Sequence, residues 1–437
     1  MSPAQQNQEP LVAPYLSPKV LAEIFRYVAN SRYPTQELSI TSTLDLMASS
    51  MVCTSWWEEA RRHIGDKFFE HIVSSKHPKE FSRFADLLIE SDRLGCDYHK
   101  IFSEIFLDTA KPQTYNYTAA DLDSHLDSLA RILELRPPNL TTLSLNLDYW
   151  SGEHEKCPGR RLCRFLERIE PYCGCIEKLV IGYQDDIHLA MVRTRATTFI
   201  ARMNSHLVSL TIKSFELDDA MCIALRRCDS LRAVEFENVS LDSLFYVVHK
   251  WPQLRSFVYT AGDPGDMDRA VMALTASCKR LQKFVVGNDS ELKELWEVSP
   301  IPVSGGALGS LLVEPDLKHL EVRSGLNVND RFLSELARSG HALRTLILTG
   351  CPRLCGMEVN TWVEKPEIKF FDLRLITLTH CPLISQKFVT KLIERSPWLH
   401  FAHLPNHLNV DPAICALMKQ RGFTFGDLRQ WEKENSG

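Results

Sequence analysis

The sequence predicts an α/β fold: three short helices, then a curved solenoid of alternating strands and helices, with a parallel sheet inside and the helices outside. Three observations predict it. A triplet, Leu-x-x-apolar-x-apolar, returns ten times from about residue 140 onward, led by leucine in nine of them. Capped, amphipathic helical stripes lie between successive triplets. A separate set of helical signals, over residues 15–75, precedes the array.

The bulk numbers bound the function. With 437 residues, 44% hydrophobic and 24% charged, the chain can bury a large core spread over two or more domains or one elongated array. A formal net charge of -5 and a pI near 6.3 give no global attraction for phosphate backbones or anionic lipid. Residues 1–14 hold three prolines and no basic-then-apolar block, so they read as a flexible tail and not a signal peptide. No run approaches the roughly 20 apolar residues of a membrane span. An intracellular protein, cytoplasmic or nuclear, is expected.

Thirteen cysteines, an odd number without a secretion signal, point to reduced thiols. The local cluster His154, Cys157, Cys163, Cys173 and Cys175 raises the question of zinc. Its spacing is poor for a structural site, being too tight at Cys173-Gly174-Cys175 and too loose from Cys157 to Cys163. No metal or other cofactor is assigned.

Within residues 15–75, Ser17 is suited to cap a helix and Pro18 to open its first turn. Val20, Leu21, Ile24, Phe25 and Val28 then draw one apolar stripe. A second helix is expected from about Thr43, carrying Leu44, Met47, Met51 and Val52, and Ser55 with Glu58 forms a plausible capping box for a third. Periodicity alone allows a small bundle that merely caps the array. The order of Leu16, Pro18, Leu21, Ile24 and Phe25, then Val52-Cys53-Thr54-Ser55-Trp56, resembles the F-box, in particular that of fungal F-box proteins. The chain departs from the family at Ser17, usually proline, at Lys19, often acidic, and in a longer connection over 29–42. The resemblance implies a partner, a Skp-type adaptor that bridges to a cullin and a RING subunit. It also implies that Leu16, Pro18, Leu21, Ile24, Phe25, Val52 and Trp56 shape the module or touch that adaptor.

Residues 76–139 show helical stretches at 81–89 and 122–133 around a strand-like run, 101–107, and read as a linker with degenerate repeats. The array proper covers 140–410. Its triplets begin at Leu140, Ile176, Leu207, Leu231, Leu254, Leu281, Leu317, Leu343, Leu373 and Leu399. Three apolar positions recur by chance in any such chain; the leucine lead and a mean spacing of about 29 residues carry the signal, and that period belongs to long leucine-rich repeats. Asp218, Asn329 and Ser385 are expected to cap the intervening helices. The segments 346–352 and 376–382 resemble the cysteine-containing repeats of F-box proteins, in which the cysteine is a small buried hydrophobe. Ser304-Gly305-Gly306-Ala307-Leu308-Gly309 lacks a phosphate-loop ending and reads as a mobile loop. Residues 411–437 form a C-terminal cap and tail.

Stacked repeats leave an extended inner face for another protein. The residues alternating with the core positions point into it: Lys178, Thr211, Lys213, Glu235, Glu237, Lys283, His319, Glu321, Arg323, Thr345, Thr377, Phe401 and His403. Of these, Lys213, Glu235, Lys283, Glu321, Arg323, Phe401 and His403 are the candidate substrate contacts. Mixed charge along the face argues against nucleic acid. No Gly-x-Ser-x-Gly elbow, His-Glu-x-x-His helix, Walker loop or kinase signature occurs, and no catalytic residue is assigned. Two readings stay open: a substrate receptor of a ubiquitin ligase, with no catalysis of its own, and a scaffold of the same two modules whose partner is not ubiquitinated.

Overall fold

The computed structural model describes residues 17–30, 40–52, 54–63, 78–96, 98–100, 103–108, 119–147, 158–183, 189–240, 243–260, 266–287, 301–357, 370, 372–409 and 411–422. The chain divides into two compact units, residues 1–176 and 177–437.

The first unit opens with three helices, α1 (Pro18–Asn30), α2 (Ile40–Ser50) and α3 (Thr54–His63). Ser17 caps α1 as expected, accepting from the Val20 amide at 3.4 Å. The second helix starts earlier than the pattern suggests and ends before Met51 and Val52, while the third begins one residue ahead of Ser55. Next come α4 (Pro78–Arg93), β1 (Glu104–Asp108), α5 (Ala119–Glu134), β2 (Thr142–Leu147) and α6 (Pro158–Ile169). Strands β1 and β2 pair in parallel, Ile105 opposite Leu143 and Leu107 opposite Leu145, so a strand and helix, β1 and α5, already stand ahead of the first triplet, whose strand is β2. The helical bundle is tied to it: α4 packs on α2, Tyr98 donates to Ser50 Oγ at 2.6 Å, and Arg83 pairs with Asp45 at 2.8 Å.

The second unit is a parallel, strictly sequential sheet of nine strands: β3 (Lys178–Tyr183), β4 (Ser209–Lys213), β5 (Ala233–Glu237), β6 (Ser256–Thr260), β7 (Lys283–Gly287), β8 (His319–Arg323), β9 (Thr345–Thr349), β10 (Leu375–Thr377) and β11 (Phe401–His403). Its helices are α7 (Leu189–Met203), α8 (Asp219–Leu225), α9 (Phe245–Val248), α10 (Met267–Ser277), α11 (Gly305–Leu311), α12 (Asp330–Ser339), α13 (Gln386–Glu394), α14 (Asn406–Asn409) and α15 (Pro412–Gln420). This is the α/β repeat solenoid that the triplets predict. All three members of all ten triplets are buried. The register explains why: Leu210, Val234, Phe257, Phe284, Leu320, Leu346 and Ile376 lie in one row across adjacent strands, each stacked on the next repeat's equivalent. A lone strand–helix pair has nothing to cover its apolar face; its neighbours supply the cover.

Local chemistry fixes the joints. Asp218, Asn329 and Ser385 each cap the helix that follows, accepting from Met221, Arg331 and Phe388 amides. Directly after the strands the chain turns through the left-handed region, at Ser214, Asn238, Ser324 and Gly350. Ser214, Asn238 and Ser324 each donate their amide to the last strand carbonyl of the next repeat, at 2.7–2.9 Å, and Gly350 donates to the Thr379 carbonyl just beyond β10 at 3.0 Å.

One expectation is corrected. The glycine-rich stretch is a helix, α11, capped by Ser304 through the Ala307 amide, and not a loop. Its glycines serve packing: a Cβ on Gly309 would come within 2.6 Å of Glu335 Cγ on α12, and one on Gly305 within 2.9 Å of the Asn329 cap. Glycine here brings two helices close at the expense of helix propensity.

Candidate interaction surfaces

In the helical module the predicted apolar stripe divides in two. Leu21 and Phe25 point inward, and Phe25 meets the half-buried Trp56 edge-on at 5.7 Å. Of the two roles the resemblance allows, both therefore take that of shaping the module's own core and not that of an adaptor contact. On the other side of α1, Val20, Ile24 and Tyr27 are 48%, 38% and 74% exposed, and their spacing puts them on one outward stripe. Val52, just after α2, is likewise exposed. Tyr27 was missed by the motif comparison, although its position seven residues after Val20 signals it. Pro18 opens α1, and Leu16 lies outside the described residues.

In the second unit, the sheet face opposite the leucine core carries three rows of side chains. From β4 to β8 this face mixes polar and charged side chains with Ala233, Val258 and the buried Val285. Thr211 donates to Glu235 at 3.4 Å, and Lys213 pairs with Glu237 at 2.6 Å across neighbouring strands. On β8, Glu321 is gripped from both sides by its own strand. His319 Nε2 lies 3.1 Å from one oxygen and Arg323 Nε donates to the other at 2.6 Å. Burial pushes the Glu321 carboxyl up, but the His319 hydrogen bond and the Arg323 charge outweigh it and hold the group below the usual carboxylate range. Glu321 is only 6% exposed, so it is corrected from a substrate contact to the anchor that orients His319 and Arg323. Gly287, which sequence reading passed over, makes this possible: a Cβ there would sit 2.4 Å from Arg323 Cβ. Lys283 is exposed on the adjacent strand, while Lys213, Glu235 and Arg323 are half-buried.

From β9 to β11 the same face changes character. Ile347, Leu375 and Phe401 form an apolar cluster there, 4%, 1% and 2% exposed. Phe401 is thus also corrected: it is a buried group, unavailable to a partner in this state. His403, on the same strand, is exposed.

Several of the thiols are buried. Cys351 and Cys381, which follow β9 and β10, are fully buried, and the Cys381 thiol donates to the Leu348 and Thr379 carbonyls at 3.5 Å. Burial pushes the Cys228 and Cys278 thiols up to about 12. Such thiols are poorly ionised and weakly nucleophilic. Of the cysteine-rich cluster, Cys163 and Cys173 are buried and Cys175 exposed, and His154 and Cys157 lie outside the described residues. Among the described residues no three potential metal ligands converge.

No protein-family model matches this chain, and no curated protein does. Among solved structures it is similar to the complex of Rad7 and Elc1 from yeast, at 14% identity and a TM-score of 0.43, covering 85% of this chain and 93% of that one. It is also similar to the leucine-rich repeat-containing protein LegL7 from Legionella pneumophila, at 11% identity and a TM-score of 0.36, covering 74% and 92%.

Proposed function

We propose that the chain is a non-catalytic substrate receptor of a ubiquitin ligase built on a Skp-type adaptor and a cullin, acting in the cytoplasm or nucleus. The helical module docks the adaptor, and the charged face of β4–β8 holds a protein substrate. The observation that carries this reading is the outward stripe of Val20, Ile24 and Tyr27 on a module whose inner stripe is already satisfied by Phe25 and Trp56. Apolar side chains aligned on one helix face, kept in water while their neighbours are buried, fit a partner interface. Cys228 and Cys278, buried and with their thiols pushed up, are unsuited to carry a thioester. Ubiquitination then gains rate by raising the local concentration of substrate near the charged enzyme.

The test is co-purification with the adaptor and cullin. Val20→Asp with Ile24→Asp should abolish adaptor capture and leave the melting temperature within about 2 °C, because both sites are exposed. Equal capture by wild type and the double variant would overturn the adaptor assignment. If the complex forms but the lifetime of the bound partner is the same with and without this chain, the scaffold reading replaces the receptor.

A further inference from the structure

The residue that precedes each strand from β5 to β11 belongs to a ladder at the edge of the sheet. Its rungs are Arg232, Arg255, Gln282, Lys318, Arg344, Arg374 and His400, and each amide after the first donates to the carbonyl of the rung before it, at 2.7–2.9 Å. Five of the seven are arginine or lysine. Arg232, Arg255, Arg344 and Arg374 are exposed and Lys318 is half-buried. Where the ladder is neutral, at Gln282, the next residue is the exposed Lys283, and the nearby Arg280 bonds only the neutral amide oxygen of Gln253, at 2.8 Å. Elsewhere arginines are matched by carboxylates: Arg83 pairs with Asp45, Arg131 with Asp86, Arg168 with Asp127 and Glu134, and Arg193 with Glu216 and Asp218. Among the described residues the five ladder cations form no ion pair or side-chain hydrogen bond. Adjacent strands lie roughly 4.8 Å apart. Like charges one strand apart repel, and an anionic partner turns that repulsion into attraction. This concentration of positive charge stands in a chain whose formal net charge is -5.

The pattern of charge along the edge selects the class of partner. From Arg232 to Arg374 the rungs cover roughly 24 Å, the reach of about seven residues of extended peptide. Asp229, Asp316 and Asp372 lie two or three residues ahead of Arg232, Lys318 and Arg374, so acidic groups interrupt the positive edge. A sugar–phosphate backbone carries the same charge at every step and cannot avoid those carboxylates. A polypeptide can set acidic side chains against the rungs and uncharged ones against the aspartates. Bases would also lack a platform: the two residues ahead of each rung, from Arg232 to Arg374, include no aromatic ring to stack on.

We propose that the strand-start edge of β5–β10 docks an acidic polypeptide segment about seven to ten residues long, laid across the repeats with its carboxylates on Arg232, Arg255, Lys318, Arg344 and Arg374. The edge adjoins the sheet face assigned to the substrate, and its role does not depend on the adaptor reading. The test uses the full chain and fluorescein-labelled decaglutamate, read by anisotropy at low salt, with labelled oligothymidylate of the same length run in parallel. Decaglutamate should bind, and added salt should weaken it by screening. Arg255→Ser with Arg344→Ser and Arg374→Ser should lower its affinity about tenfold or more, whereas Arg93→Ser with Arg160→Ser and Arg164→Ser, the same loss of charge at exposed sites of the first unit, should lower it less than about twofold. Carbodiimide coupling of decaglutamate to the unaltered chain gives a second readout that needs no variant: amide bonds should form at Lys283 and Lys318 ahead of the other lysines. The proposal is overturned if decaglutamate does not bind, if the two triple variants lose affinity equally, if coupling falls mainly on other lysines, or if oligothymidylate binds as tightly as decaglutamate.

Discussion

Leu346 and Arg323 sit on adjacent strands and face opposite sides of the sheet, so they separate core from surface at single-residue resolution. Leu346→Asp puts a carboxylate into the leucine row and should cost on the order of 3–5 kcal/mol, enough to melt neighbouring repeats. Arg323 reads from sequence as a plain surface charge whose truncation costs under about 0.5 kcal/mol. Its 2.6 Å bond to buried Glu321 changes that. Arg323→Ala leaves a buried carboxylate short of a donor and should cost about 1–3 kcal/mol by chemical denaturation. A third residue sets an acid response. Burial pushes His125 down to about 4 despite the pull of Asp121. The unfolded chain therefore binds this proton more readily than the folded one, so stability is full above about pH 6.5 and is lost as pH falls toward 4. The loss attributable to His125 is on the order of 2–3 kcal/mol. His125→Leu should flatten the fall in denaturation midpoint across that window; an unchanged pH profile would refute the assignment.

At the scale of elements, the contact of α11 with α12 depends on missing side chains. Gly309→Ala adds helix propensity worth about 1 kcal/mol, yet its Cβ meets Glu335 near the backbone end of that side chain, where yielding is costly. A net drop in melting temperature is expected, larger for Gly309→Val; a rise with alanine would show that the helices have room to spare. The N-terminal module also has a different limit from the one its motif suggests. Because α2 packs on α4, and Ser50 and Asp45 bond to Tyr98 and Arg83, a fragment ending at residue 75 exposes a face that the chain buries. A fragment of residues 1–176 should melt cooperatively at higher temperature than one of residues 1–75, as read by circular dichroism.

For the whole molecule, the nine-stranded second unit has the physics of a one-dimensional array: every strand pairs with its sequence neighbours, and contacts are local. Damage in one repeat should propagate to those beside it. Leu346→Asp is expected to raise amide exchange in β8 to β10 before β4 and β5, and uniform exchange across all strands would contradict a stacked array.

What the sequence determined by itself is the repeat: each leucine triplet marks a strand, each Asp218-, Asn329- or Ser385-type signal a helix start, because period and capping are local chemistry. Alternation also placed Glu321 and Phe401 on the correct side of the sheet. Whether a side chain on that face is open depends on what lies over it and beside it, and this no local pattern carries. Tertiary structure decided that Glu321 is caged by His319 and Arg323, that Phe401 lies under cover, and that Leu21 and Phe25 turn inward while Val20 and Ile24 stay in water. It also turned a glycine run, flexible by composition, into the helix α11, because the close approach of α12 is possible only where Cβ atoms are absent.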